Sequence, residues 1–161
     1  MFGLTTLGIV HTAISLVALA SGFMAIAKER EISLRSGLGR TYVVTTALTA
    51  LTALGIFQHG GFGPPHGLAL LTLLALAVGC TAALTGVFGG WSRYVQAVSF
   101  STTLFFHLVP AFTETLTRLP LGAPVLASAE APELKTIAGV LLLLLVVGLV
   151  LQLRWLRGQV R

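Results

Sequence analysis

The chain has 161 residues, enough for one domain; 55% of them are apolar, 9% are charged, and the mean hydropathy is +0.94. So little charge does not cover the surface of a water-soluble domain, so the composition points to lipid as solvent, where only helices and closed barrels satisfy the backbone. The net charge of +5 does not indicate a nucleic-acid binder, because the basic residues sit at the ends of apolar runs, where positive-inside anchors belong, and the single cysteine, Cys80, excludes an intrachain disulfide framework and a Cys-rich metal site.

The apolar runs are continuous, without the alternation of barrel strands, and predict transmembrane helices. The first spans 2–27. Ala18-Leu19-Ala20 fits a small-x-small cleavage site, yet no Lys or Arg precedes the run, and Lys28, Arg30, Arg35 and Arg40 follow it. That order describes a retained helix with its N-terminus outside. The second run, 41–59, ends at Gln58-His59, and the turn from Gly60 to Pro65 reverses the chain. The third, 66–90, closes on Gly89-Gly90-Trp91, where Trp91, Arg93 and Tyr94 form a headgroup anchor.

The fourth run, 95–118, is less apolar and carries Ser99, Ser101, Thr102, Thr103, His107, Pro110, Thr113, Glu114 and Thr115. Pro110 leaves open whether this helix is continuous. A Pro- and Ala-rich segment, 119–135, is expected to hold a short surface helix near 126–131. The fifth run, 136–153, is nearly all Leu, Val and Gly and ends in Arg154, Trp155, Arg157 and Arg161. Segments 28–40, 91–94 and 154–161 together hold eight of the ten basic residues. The expected architecture is therefore an all-α integral membrane bundle of five transmembrane helices, one domain, with the N-terminus outside and the C-terminus cytoplasmic.

Threaded on this topology, His11, His59, His66 and His107 all fall in the outer half of the membrane. Gly8, His11, Ser15, Ala18 and Gly22 share one stripe of helix 1, Thr45, Thr52 and His59 one stripe of helix 2 with Thr49 beside it, and Ser99, Thr103, His107, Pro110 and Glu114 one face of helix 4. Small and hydroxyl side chains mark helix contacts in lipid, so the histidines are expected to point into the bundle, and helix 5, without such a stripe, to pack outside.

An ionisable residue inside a bilayer is costly and marks a functional site by default. Three histidines, His11, His66 and His107, with His59 as alternate and Glu114 as fourth ligand, orienting group or proton-relay carboxylate, suit copper first and zinc second. The bland reading stands beside it: each histidine only joins helices, as in a transporter component or assembly partner. Cys80 reads as packing. Haem b is the competing cofactor, but with at most one histidine per helix the stacked bis-histidine arrangement is absent, leaving one haem between His11 and His107 or between His11 and His66. Phe57, Phe62, Phe105, Phe106 and Phe112 offer an aromatic portal for an isoprenoid quinone such as ubiquinone or menaquinone, with a histidine bonded to its carbonyl, which makes a quinone-linked oxidoreductase one expectation. No phosphate loop and no Ser/His/Asp or lysine constellation for hydrolysis is present.

The stretch from Arg35 to Val44, Arg-Ser-Gly-Leu-Gly-Arg-Thr-Tyr-Val-Val, resembles the first loop of a family of small bacterial predicted inner-membrane proteins of unknown function, which reads basic-x-x-Gly-Arg-x-Tyr-Val. The histidine often found in that loop is missing here. The resemblance implies a helical protein of the bacterial inner membrane with a structured cytoplasmic turn, and no chemistry. Locally, Gly37 and Gly39 are expected to allow a tight turn and Tyr42 to sit at the membrane boundary.

Overall fold

The computed structural model describes residues 5–57 and 61–159. Five α-helices follow one another: α1 (Thr6–Glu29), α2 (Gly37–Leu54), α3 (Pro64–Thr85), α4 (Ser92–Arg118) and α5 (Pro132–Gln159). A 3-10 turn at Gly89–Trp91 leads into α4, and no strand occurs among the described residues. Thr6–Glu29, Pro64–Thr85, Gly89–Arg118 and Pro132–Gln159 are each long and apolar enough to cross a membrane. The remaining helix, α2, falls short of that measure because five threonines and Arg40 dilute its 18 residues.

The helix ends depart from expectation for local reasons. The Ser36 side chain accepts the Gly39 N–H at 3.0 Å, so α2 starts at Gly37 rather than near 41. Its other end is Leu54, and the last predicted residues, Gln58 and His59, lie outside the described residues. Two prolines open α3 at Pro64, where a missing N–H costs nothing. The fourth helix runs unbroken through Pro110. The short helix expected near 126–131 does not form. Instead the Val125 N–H bonds back to Leu119 O at 3.1 Å and the Leu126 N–H to Leu116 O at 2.9 Å, folding the Pro120–Pro124 stretch onto the end of α4.

Helix α1 packs on α2, α3 on both α2 and α4, and α5 chiefly on α4. The small-residue stripe of α1 faces inward as expected, with Gly8, Ala18 and Gly22 buried and Ala25 extending it. Gly22 admits the Tyr42 ring so closely that a Cβ would lie 2.8 Å from two ring carbons, and a Cβ on Gly79 would lie 2.5 Å from Phe100. Such contacts let helix backbones approach. Tyr42 is therefore not a boundary anchor: it is fully buried, and its hydroxyl meets Thr103 Oγ1 at 2.8 Å and Phe100 O at 3.4 Å. Gly39 likewise serves packing rather than a turn, because it sits in the first turn of α2 with the Ser33 carbonyl where a Cβ would be.

One end of the bundle, which carries most of the basic residues, is tied together by polar bonds that sequence reading missed. The Arg93 guanidinium grips the buried Glu31 carboxylate in a fork at 2.7 and 3.3 Å and lies 5.5 Å from the centre of the Trp155 ring. Gln96 donates to Ile32 O at 3.0 Å, and Gln152 of α5 donates to Arg30 O at 2.9 Å while accepting from Ser101. These bonds pin the 30–32 turn, α4 and α5 to one another. Elsewhere α5 exposes Leu142, Leu143, Leu144, Val146 and Leu151, in line with a helix on the outside of the bundle.

Candidate functional site

The two histidines on the long inward stripes both bond to α2. His11 of α1 places Nδ1 3.1 Å from Thr49 O and 3.0 Å from Thr52 Oγ1. A carbonyl only accepts, so Nδ1 carries the proton and, in the neutral ring, Nε2 presents a lone pair. The Thr52 hydroxyl gives its own proton to Leu48 O and Thr49 O, which leaves its oxygen free to accept from His11. The ring is thereby oriented by the α2 backbone.

His107 of α4 is buried, and its Nε2 lies 3.0 Å from Thr46 Oγ1. Threonines 45, 49 and 52 of α2 all return their hydroxyl protons to carbonyls of their own helix. Thr46 does not, so its proton is available to His107. The Tyr42 and His107 rings meet edge to face at 6.2 Å. Tyr42, Thr46, Thr103 and His107 therefore form one buried polar cluster spanning α2 and α4, all of them between 0% and 7% exposed. The sequence pattern placed Thr103 and His107 on a shared face but passed over Thr46 and Tyr42. A signal existed in Gly22, whose missing side chain leaves room for an aromatic ring.

His66 sits in the first turn of α3 and differs from both. The Gly63 N–H donates to His66 Nδ1 at 3.2 Å, so the imidazole caps its own helix and its proton resides on Nε2. That Nε2–H is buried and meets no acceptor among the described residues. The whole residue is 4% exposed, held between the rings of Phe57 at 4.7 Å and Phe62 at 5.0 Å. Leaving such a donor unpaired costs about 1–3 kcal/mol, and native structures rarely tolerate it without a ligand, ion or water. Phe57 and Phe62 in turn are largely exposed on their other sides.

The remaining candidate residues divide. Glu114 is exposed and ion-paired with Arg118 one turn along α4. Phe105 and Phe106 pack against each other at 5.8 Å, while the rings against His66 are those of Phe57 and Phe62. His59 lies outside the described residues. Among the described residues, no three His, Cys, Asp or Glu side chains gather as a group able to hold a metal ion. Haem ligation through His107 Nε2 would displace Thr46. Cys80 packs against the core, as expected.

No protein-family model matches the chain, and comparison with curated proteins and with solved structures gave no significant match.

Proposed function

We propose that the chain is a five-span protein of a bacterial inner membrane, with its N-terminus outside and its basic end in the cytoplasm, and that it binds a membrane quinone at the His66 end as part of quinone-linked redox chemistry. The orientation rests on the grouping of basic residues at one end of the bundle. The observation that carries the site is the Nε2–H of His66, held between Phe57 and Phe62 and without an acceptor among the described residues. A quinone supplies what that donor lacks: a carbonyl acceptor on a planar ring that stacks on phenyl groups, joined to a tail soluble in the bilayer. Phe62 and Phe57, 68% and 57% exposed, lie where such a headgroup would enter from lipid.

The test is equilibrium titration of the protein in lipid nanodiscs with short-chain ubiquinone and menaquinone analogues. Binding to the wild-type chain and its weakening in His66→Phe, which keeps a planar ring between the two phenylalanines, are the expected results. Equal affinity in that variant overturns the site. Orientation is read separately in a Cys80→Ser background, by labelling Gly61→Cys and Gly158→Cys in intact cells with a membrane-impermeant maleimide; both glycines have open space around them. Only the cysteine at position 61 should react.

One observation favours a second reading, copper or zinc at His11. The Thr49 carbonyl fixes the His11 proton on Nδ1 and leaves the Nε2 lone pair that binds such metals. His66 suits that ligand set poorly, because its Nδ1 caps α3 and its Nε2 is protonated. Elemental analysis and an optical spectrum of detergent-purified protein, taken before any chelator, decide between these. Stoichiometric copper or zinc supports the metal, and iron with a Soret band supports haem b. With neither metal nor quinone bound, His11 and His107 remain helix joints of a non-catalytic membrane protein.

A further inference from the structure

The basic end of the bundle presents its charges from a fixed base. The 30–36 turn is bonded by both α4 and α5: Gln152 donates to Arg30 O at 2.9 Å, Gln96 to Ile32 O at 3.0 Å, and Arg93 to the Glu31 carboxylate. Inside the turn the Arg35 N–H donates to Ser33 Oγ at 3.3 Å, and the Arg40 N–H to Ser36 O at 3.1 Å. Around this base Lys28, Arg30, Arg35 and Arg40 are exposed, and so are Arg154 and Arg157 just beyond Gln152. None of the six forms an ion pair among the described residues, where the two salt bridges are Arg93–Glu31 and Arg118–Glu114. The described carboxylates at this end are Glu29 and Glu31 alone, and Arg93 already neutralises Glu31.

Beside the cations lies an exposed apolar strip. Past the end of α3, Gly86 and Gly89 take φ of 64° and 56°, backbone that other residues rarely adopt, and the Gly89 N–H closes the turn onto Gly86 O at 2.8 Å. The turn leaves Val87 67% and Trp91 72% exposed, with Phe88 exposed between them. Trp91 stands two residues from the Arg93 that grips Glu31, so the strip adjoins the 30–36 turn. Its ring lies 5.7 Å from that of Tyr94.

We infer that this end of the bundle binds the headgroups of anionic phospholipids, with Val87, Phe88 and Trp91 seated beneath the phosphates. Charge alone would suit an acidic protein or a nucleic acid equally well, but either would leave the three apolar side chains in water. An anionic leaflet offers both layers in the required order: phosphates at the level where the helices end, and acyl chains immediately below. The arginine forks match phosphate oxygens, and a base held by hydrogen bonds lowers the ordering cost of each contact. The inference needs the chain to lie in a bilayer. It does not need the quinone, whose site is at the other end of α3.

The test is quenching of Trp91 fluorescence in vesicles of phosphatidylcholine and phosphatidylglycerol in equal parts, with one or the other lipid brominated. A Trp155→Phe background leaves Trp91 as the one tryptophan. Brominated phosphatidylglycerol should quench more strongly, as a local enrichment of about fivefold, the size expected for one basic residue near an anionic surface. The preference should shrink as salt rises. Combining Arg30→Gln, Arg154→Gln and Arg157→Gln should abolish it with helix content unchanged by circular dichroism, whereas Lys135→Gln, at the other end of α5, should keep it. Inorganic phosphate at matched ionic strength should compete no better than chloride. Equal or absent quenching by the two lipids, a preference undiminished in the folded triple variant, or selective displacement by inorganic phosphate overturns the inference. If Trp155→Phe loses helix content, the comparison is made as the two lipids retained per unaltered chain on detergent extraction, where equal retention overturns it.

Discussion

Two adjacent threonines on α2 should respond unequally to the same small change. Thr46→Val replaces a fully buried hydroxyl that reaches across to His107 Nε2, itself on a residue only 7% exposed. The imidazole nitrogen is left without a partner inside the bundle, at about 1–3 kcal/mol, while the gained methyl returns somewhat under about 1 kcal/mol. The net expectation is a loss of about 1–2 kcal/mol. Thr45→Val removes a hydroxyl that only returns to Thr41 O and Tyr42 O of its own helix, at 2.7 and 3.2 Å, so its effect should stay within about 0.5 kcal/mol. Reversible unfolding in mixed micelles with rising dodecyl sulfate, followed by circular dichroism, gives both values. Coincident midpoints for the two variants would refute the assignment of the Thr46 proton to His107.

Three further outcomes follow from packing and charge. Gly22→Ala drives a methyl to 2.8 Å from the pinned Tyr42 ring and 3.0 Å from Leu104 Cδ1. It should cost about 1–2 kcal/mol in the same unfolding assay even after the gain in helix propensity, with Tyr42→Leu restoring most of it. Arg93→Met strands the buried Glu31 carboxylate, whose side chain is 11% exposed. Because Arg93 is partly in water, the loss should be nearer about 1–2 kcal/mol than the 3–5 kcal/mol typical of a deeply buried pair, and Arg93→Lys should fall between. Gln152→Leu unpairs Arg30 O and Ser101 at once, and should be seen as faster proteolysis at the 119–131 connection, as α5 loosens from α4.

Much of the helical plan was legible because it depends on sums over many residues. A continuous apolar run about twenty residues long leaves the backbone one way to satisfy itself in lipid. The stripe Gly8, Ala18, Gly22 was likewise legible, since small residues at helical spacing face other helices whatever the partner. The departures all involve a bond to something distant or a cap of a few atoms. Ser36 moved the start of α2 through one hydrogen bond, and the 119–131 segment lost its expected helix to two backbone bonds onto the end of α4.

The histidines mark the same boundary. Sequence alone determined that His11 and His107 face inward, because both lie on stripes whose other members are small or hydroxylated. It did not determine their partners, and so assigned them to one another as shared ligands. The tertiary structure gave His11 to Thr49 and Thr52, His107 to Thr46, and left the His66 donor with no acceptor among the described residues. Glu31 and Gln152 lie more than a hundred residues apart, and no sequence pattern pairs them. Only the folded bundle brings them to the two faces of one turn. Periodicity fixes which way a side chain points, whereas its hydrogen-bond partner depends on the register between helices, set by close contacts such as Gly22 on Tyr42 and Gly79 on Phe100 that no single helix specifies.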